Sequence, residues 1–364
     1  MSSMNIAKPS AKILFVTRGR SSRGGHVVLV NIVRELRKEG YDVTLTVFES
    51  KKQMKKVVPY WESMDVNFVE IPHLKERNSE QIEHVKAISK YIRENVDSFD
   101  KIILDSWITA LAVAREYIFS DKIWQLVQSD PLFVPENESV FWKAELLGLL
   151  PLTPMNRIIV SETLAKHLSK RYKKKFEYLS LFLDENYLKC KFDVGESEIL
   201  KIVSSSATFN IPTKGLDFLL DQLKKIKDFK FELTLISGEK IEKDLSEYPF
   251  PIKITSTKNS LEMAQELCKH DVYANTSTKE SFCLALAEAI AIGMPAIALD
   301  SIGNREYMDG NNAIFVDNPK DFITGLLKMK DVKFRKGLNV KARESMKKYK
   351  IKNTIKEFKK IIEI

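Results

Sequence analysis

Residues 271–306, DVYANTSTKESFCLALAEAIAIGMPAIALDSIGNRE, decide how this chain reads. A short apolar run, a polar loop, a helix-length apolar run, a second β-rich run and another loop predict strand, loop, helix, strand, loop. Leu284 to Ile292 is nearly all apolar, so its helix is expected to lie buried against a sheet. Glu288 stands in the middle of that helix and Glu280 just before it, a Glu-x7-Glu spacing. A buried carboxylate is costly unless something pairs with it. The partner is either a ligand at the carboxyl edge of the sheet, where such loops open, or a structural cation or helix end. The two residues alone leave both readings open.

Working outward, the same strand–helix rhythm fills the chain. KILFVT, DVTLTVF, VNFVEI, KIILD and IWQLV alternate with the helical patterns HVVLVNIVRELRKEG and about residues 79–96, and RIIVSETLAKHLSKRY adds another strand and helix. Alternation of this kind predicts a parallel, doubly wound α/β sheet. LFLDENYLKCKFDVGE breaks the pattern, which places a linker near residues 180–195. The rhythm restarts with LKIVSSS, GLDFLLDQLKKI, FELTLIS, PIKITST and SLEMAQELCKH, and lysine-rich amphipathic helices run from about residue 321 to the end. The expected organisation is a first Rossmann-like domain over 1–185, a second over 186–345, and a C-terminal helix at 346–364 that packs back on the first. Ligands of such sheets bind at the carboxyl ends of the strands, here in a cleft between the halves.

A length of 364 residues favours two domains over one. Apolar content of 44% with 29% charged residues is that of an ordinary globular chain. The start, MSSMNIAKPSAK, lacks an apolar signal core, and the longest apolar run is broken by Glu288, Gly293 and Pro295, so no span is expected. Three widely spaced cysteines form neither a disulfide framework nor a metal knuckle. The expectation is a cytoplasmic protein. A net charge of +9 favours anionic partners. It is spread over helix faces with no zinc-finger or RNA-binding signature, which argues against nucleic acid and allows docking at the inner face of an anionic membrane.

Three turns are suited to anions. In TRGRSSRGGHVV, Gly24 and Gly25 open a strong amphipathic helix, whose N-terminal N–H groups are free for an anion, with Arg18, Arg20 and Arg23 nearby. The loop is neither a P-loop nor a G-x-G-x-x-G turn. In SSSATFNIPTKGLDFLL, Lys214 stands at a helix start, where its charge opposes the macrodipole by ~0.3–1 kcal/mol unless an anion binds. The third is the backbone of Ser281, Phe282 and Cys283 at the start of the buried helix. Together they point to a diphosphate.

ESFCLALAEAIAIGMPAIA is similar to the signature of the retaining glycosyltransferases of family 4, roughly EGFGLVLLEAMACGLPVVA followed by a G-x-x-E turn, which Gly303 to Glu306 fits. The double glycine, the Lys-Gly of Lys214 and Gly215, and DSWITALAVA fall in the family's order, so the resemblance spans nearly the whole chain. It implies a GT-B architecture and a nucleotide-diphospho-sugar (UDP-, GDP- or dTDP-linked) as co-substrate, with no cofactor or metal. A hexose would pass with retention to the hydroxyl of a glycan, glycolipid or small molecule, as in bacterial polysaccharide or glycoconjugate assembly. By the same resemblance Glu280 holds sugar hydroxyls and Lys214 neutralises the diphosphate. The backbone at Phe282 and Cys283 contacts sugar or phosphate, Glu288 accepts from the ribose, and Gly24 and Gly25 let the first domain close over the donor.

Several positions depart from the family. An arginine that usually precedes Lys-Gly is replaced by SSSATFNIPT, where Ser205 and Ser206 carry no charge, so Arg18, Arg23 or Arg305 must compensate or turnover is weak. Ser281 and Cys283 replace glycines, and the histidine often found after the fourth strand is Asp105 or Ser106. LVQSDPLFVP is similar to a Q-x-x-x-x-F segment of some bacterial polysaccharide glycosyltransferases, which makes Gln128 and Asp130, with Asp105, acceptor-side candidates. A second class is a non-catalytic GT-B subunit or sugar-binding partner of an active enzyme. A third, a sugar-nucleotide epimerase, would need acid/base histidines in the cleft, whereas the five histidines lie mostly on helix faces.

Overall fold

The computed structural model describes residues 11–17, 24–49, 67–72, 80–114, 116–117, 119–130, 133 and 153–364. Arg18, Arg20 and Arg23 lie outside the described residues. The chain divides into two compact units. The first comprises residues 1–128, 140–159 and 355–364, and the second 129–139 and 160–354.

Strands β1 (Lys12–Thr17), β2 (Asp42–Glu49), β3 (Asn67–Pro72), β4 (Lys101–Leu104), β5 (Ile123–Val127), β6 (Asn156–Val160) and β7 (Glu177–Leu179) form a sheet in the order β3-β2-β1-β4-β5-β6-β7. The pairs from β3 through β6 are parallel. Ile13 to Val16 of β1 and Ile102 to Leu104 of β4 are fully buried. Such continuous apolar runs belong to parallel strands covered on both faces. The helix Gly24–Lys38 buries Val28, Leu29, Ile32, Val33 and Leu36, a stripe at helical spacing, and ends in Arg37 and Lys38, which suit its negative end. Phe15 stacks on Phe358 of the C-terminal helix Ile351–Ile362, ring centroids 6.1 Å apart.

In the second unit, β8 (Leu200–Ser206), β9 (Phe231–Ser237), β10 (Ile252–Thr255), β11 (Val272–Asn275), β12 (Ala296–Leu299) and β13 (Ile314–Val316) are all parallel, in the order β10-β9-β8-β11-β12-β13. The helix Leu284–Ala291 buries Leu286, Ala287, Ala289, Ile290 and Ala291, as its apolar run requires. One core beside this sheet joins Leu219, Leu220 and Leu223 to Leu233, Val272, Ile297, Phe322 and Leu326. In both sheets strand order reverses once, at β1/β4 and at β8/β11. There, diverging loops leave a crevice at the carboxyl edge.

Candidate active site

The crevice at β8/β11 is built from three loops. After β8 the chain makes a tight turn at Pro212–Lys214 and enters the helix Leu216–Leu223 through Gly215 at φ +72°, a left-handed conformation that favours glycine. A Cβ on Gly215 would overlap the carbonyl oxygen of Thr276. The loop after β11 is stitched to this turn: Thr276 Oγ1 donates to Gly215 O at 2.9 Å and Thr278 N–H to Thr213 O at 2.9 Å. The loop after β12 then grips Glu280. Its N–H donates to Ser301 O at 3.0 Å, and its carbonyl accepts from Gly303 N–H at 3.0 Å. A Cβ on Gly303 would overlap the backbone of Ser281 and Phe282, so this loop can lie so close only with glycine there.

Between these loops Lys214 Nζ donates to Glu280 Oε1 at 2.6 Å, the side chains 26% and 19% exposed. The cation that the sequence suggests for a phosphate and the carboxylate suggested for a sugar thus meet as a charge-assisted pair still open to solvent. The backbone around them is strained. Cys283 takes φ +63° at the start of the buried helix, Ile302 takes φ +71°, and Ser161, whose hydroxyl donates to Ser281 O at 2.8 Å, takes φ +93°. Left-handed non-glycine residues cost on the order of 1–3 kcal/mol each and persist where surrounding structure enforces them. Here that structure is aromatic. Phe282 packs on Tyr307 and Tyr349 with centroids 5.1 and 5.6 Å away, and Tyr307 OH donates to Cys283 O at 2.9 Å. The Phe282 ring is therefore an anchor. Burial and the nearby Glu280 push the Cys283 thiol up, so it stays protonated.

Glu288 is half-buried on the helix Leu284–Ala291. Desolvation pushes its carboxyl up to about 8, against a hydrogen bond from Tyr187 that favours the charged form, with Asp184 adding repulsion. Tyr187 lies on the short helix Glu185–Lys189, is itself buried, and was not singled out by the sequence. Nothing in ENYLK marks which face meets a helix about a hundred residues later. Glu306 of the G-x-x-E turn accepts from Thr163 N–H at 2.9 Å in the first turn of the helix Glu162–Tyr172, a favourable place for a carboxylate. Desolvation nonetheless raises its pKa.

Two donor candidates have protein partners of their own. Ser205 Oγ lies 2.8 Å from Tyr273 OH in the core. Arg305 binds Asp300 through both Nε, at 2.8 Å, and Nη2.

In the first unit, the ends of β1, β4 and β5 bring Thr17, Asp105 and Gln128 together at the β1/β4 reversal. Thr17 Oγ1 donates to Asp105 Oδ2, and Gln128 Nε2 donates to Asp105 O at 3.2 Å. Gly25 abuts the Gln128 side chain, and Gly24 begins the helix beside it. His26 Nε2 comes within 3.7 Å of Asp105 Oδ2, so one of the histidines assigned to a helix face reaches the strand ends. Among the described residues, Asp105 Oδ1 is buried without a hydrogen-bond partner. Asp130 is fully buried against Arg171 Nη1, 2.7 and 2.6 Å from its two oxygens, with His167 at 3.3 Å. Among the described residues there is no cluster of metal-ligating side chains and no helix long and apolar enough to cross a membrane.

Residues 201–331 match the family model described as Glycosyl transferases group 1. A probable sucrose-phosphate synthase from Thermosipho melanesiensis is 29% identical over 165 residues, covering 42% of this chain and 39% of that relative's length. Sucrose-phosphate synthase from Thermosynechococcus elongatus is similar in structure with a TM-score of 0.78 at 13% identity, over 97% of this chain and 98% of the other. HepE of Anabaena, solved in complex with UDP and glucose, gives a TM-score of 0.73 at 14% identity over 97% and 99%. The chain has the two-domain α/β GT-B fold of glycosyltransferases. Apart from Leu200, its second sheet and the β8/β11 crevice lie within the segment that matches that family model.

Proposed function

We propose that the protein is a retaining glycosyltransferase that moves a hexose from a nucleotide-diphospho-sugar to an acceptor hydroxyl. The observation that carries this reading is the solvent-open Lys214–Glu280 pair at the β8/β11 crevice. A diphospho-sugar offers an anion to Lys214 and hydroxyls to Glu280, replacing one protein pair by two ligand contacts. The charge that develops as the diphosphate departs would be met by Lys214 and by backbone N–H groups already held in place by the stitched loops. Glu288 with Tyr187 suits a ribose, whose hydroxyls would donate to the carboxylate and favour its charged form. In HepE the bound molecules are UDP and glucose, so UDP-glucose is the first donor to try.

Retention needs no protein base in this reading, because the leaving phosphate takes the acceptor proton on the same face. Gly24 and Gly25 of the first domain join Ser281 and Cys283 as donor-binding residues, and Asp105, Gln128 and Asp130 are the acceptor-side ones. A cytoplasmic location, with docking on an anionic membrane through the lysine-rich helices, completes the proposal. The test is release of nucleoside diphosphate from a panel of UDP-, GDP- and dTDP-sugars by the purified protein. Release from one donor, lost in Glu280→Gln, supports the reading; no release from any donor, with or without acceptors, sinks it.

One observation favours a second reading, a non-catalytic GT-B subunit. Arg305, the described one of the candidate cations, is engaged by Asp300 rather than held free to share a diphosphate with Lys214. Calorimetry with nucleoside diphosphates separates the two, since a subunit of this kind would bind none of them.

A further inference from the structure

Cys190 and Cys268 take no part in the donor site, and their wide separation in sequence suggests no pairing. In the folded second unit their sulfurs lie 3.1 Å apart. Cys190 closes the helix Glu185–Lys189, its N–H donating to Asn186 O at 3.1 Å. Cys268 closes the helix Ser260–Leu267, its N–H donating to Ala264 O at 3.1 Å. The two helices pack side by side and are joined toward their other ends by Asn186 Nδ2 donating to Ser260 Oγ at 2.9 Å. Both thiols are partly exposed, whereas the third, Cys283, is buried. An oxidant can thus reach the pair, and the sulfurs need approach by only about an ångström to reach the ~2.05 Å of a disulfide bond.

We propose that Cys190 and Cys268 are a reversible dithiol–disulfide site, oxidised by a small-molecule disulfide, that clips the Tyr187-bearing helix to its neighbour. Burial and the adjacent Cys190 push the Cys268 thiol up, which disfavours its thiolate as the first attacker. The Cys190 thiolate attacks one sulfur of the small disulfide and expels the other as a thiolate, leaving a mixed disulfide. Cys268 then loses its proton to solvent and attacks the Cys190 sulfur, and the second small thiolate leaves. Two electrons pass from the protein thiols to the small disulfide, which ends as two thiols. The helix that this bond restrains is only five residues long. Isolated helices of that length are unstable, so its order depends on its packing. The proposal stands on the thiol geometry and does not depend on the sugar chemistry.

The test treats the reduced full-length protein with excess glutathione disulfide. Free thiols counted after denaturation should fall from three to one, and peptide mapping should place the bond between Cys190 and Cys268 within one molecule. Dithiothreitol should restore three thiols, and amide hydrogen exchange over residues 185–190 should slow severalfold in the oxidised form. Cys268→Ser should stop at a mixed disulfide on Cys190. Three thiols surviving, a bond to Cys283 or between molecules, a mixed disulfide persisting in the native sequence, or unchanged exchange over 185–190 would each overturn the proposal.

Discussion

The two strand-order reversals are topologically alike but chemically opposite. At β8/β11 the loops present a cation and a carboxylate to each other, Lys214 and Glu280, both still reached by solvent. At β1/β4 a carboxylate is buried with a neutral hydroxyl on one oxygen and, among the described residues, no partner on the other, and His26 stands 3.7 Å away. The first arrangement keeps charges ready to be exchanged for those of a ligand. The second leaves a buried acceptor atom without a partner among the described residues, which the proposed reading would fill with an acceptor hydroxyl. One topology therefore offers two strand-order reversals, and the side chains at the strand ends make them chemically different.

That contrast can be broken at several points. Glu280→Gln should show the largest effect: donor turnover is expected to fall about 10³-fold with an unchanged melting temperature, because the loops that hold Glu280 bind its backbone. A variant with turnover like the native protein would remove Glu280 from the site. Gly215→Ala comes next, since it forces a Cβ into Thr276 O at a left-handed position. A loss of about 2–4 kcal/mol in denaturant unfolding is expected, and an unaltered midpoint would mean that the turn is not held as described.

Glu288 sharpens the comparison through pH. Its carboxyl is raised to about 8 in the folded protein from an ordinary 4.5. Between these values the unfolded chain has lost the proton that the native state retains, so stability falls as pH rises and levels off above about 8. Glu288→Gln, which can still accept from Tyr187, should flatten that slope and stabilise the protein by on the order of a few kcal/mol at pH 9. Parallel pH–stability curves for the two proteins would contradict the raised value. The smallest effect belongs to the other crevice. Asp105→Asn keeps an acceptor for Thr17 in a side chain of nearly the same shape, so stability should change by less than about 1 kcal/mol. Acceptor KM should rise severalfold while donor KM holds; the reverse pattern would place Asp105 on the donor side.

Much of the fold was legible because its signals are local. Buried parallel strands show as continuous β-branched and aliphatic runs, and KILFVT and KIILD give β1 and β4 directly. In the second half, LKIVSSS and FELTLIS likewise mark β8 and β9. The Glu-x7-Glu spacing marked Glu280 and Glu288 because a carboxylate amid Leu284 to Ile292 conflicts with its surroundings, and a conflict of that kind is visible without coordinates. The partners were not legible. Tyr187 in ENYLK and His26 in GGHVV are ordinary helix residues by pattern, and only packing turns one toward Glu288 and the other toward Asp105. Cys283 shows the same limit from another side. Its left-handed φ depends on Phe282 being wedged against Tyr307 and Tyr349, which lie far along the chain.

By itself the sequence determined the two α/β halves, the buried helix and the one carboxylate, Glu288, that does not belong in it, since hydrophobic periodicity and its violations are written in neighbouring residues. Only the tertiary structure decided which charges neutralise each other. Lys214 and Glu280 are 66 positions apart and Cys190 and Cys268 are 78, yet each pair is in contact. Parallel strands bring distant loops to one edge of a sheet, and neither the strand order nor the loop that ends up beside another is encoded in any local run of residues.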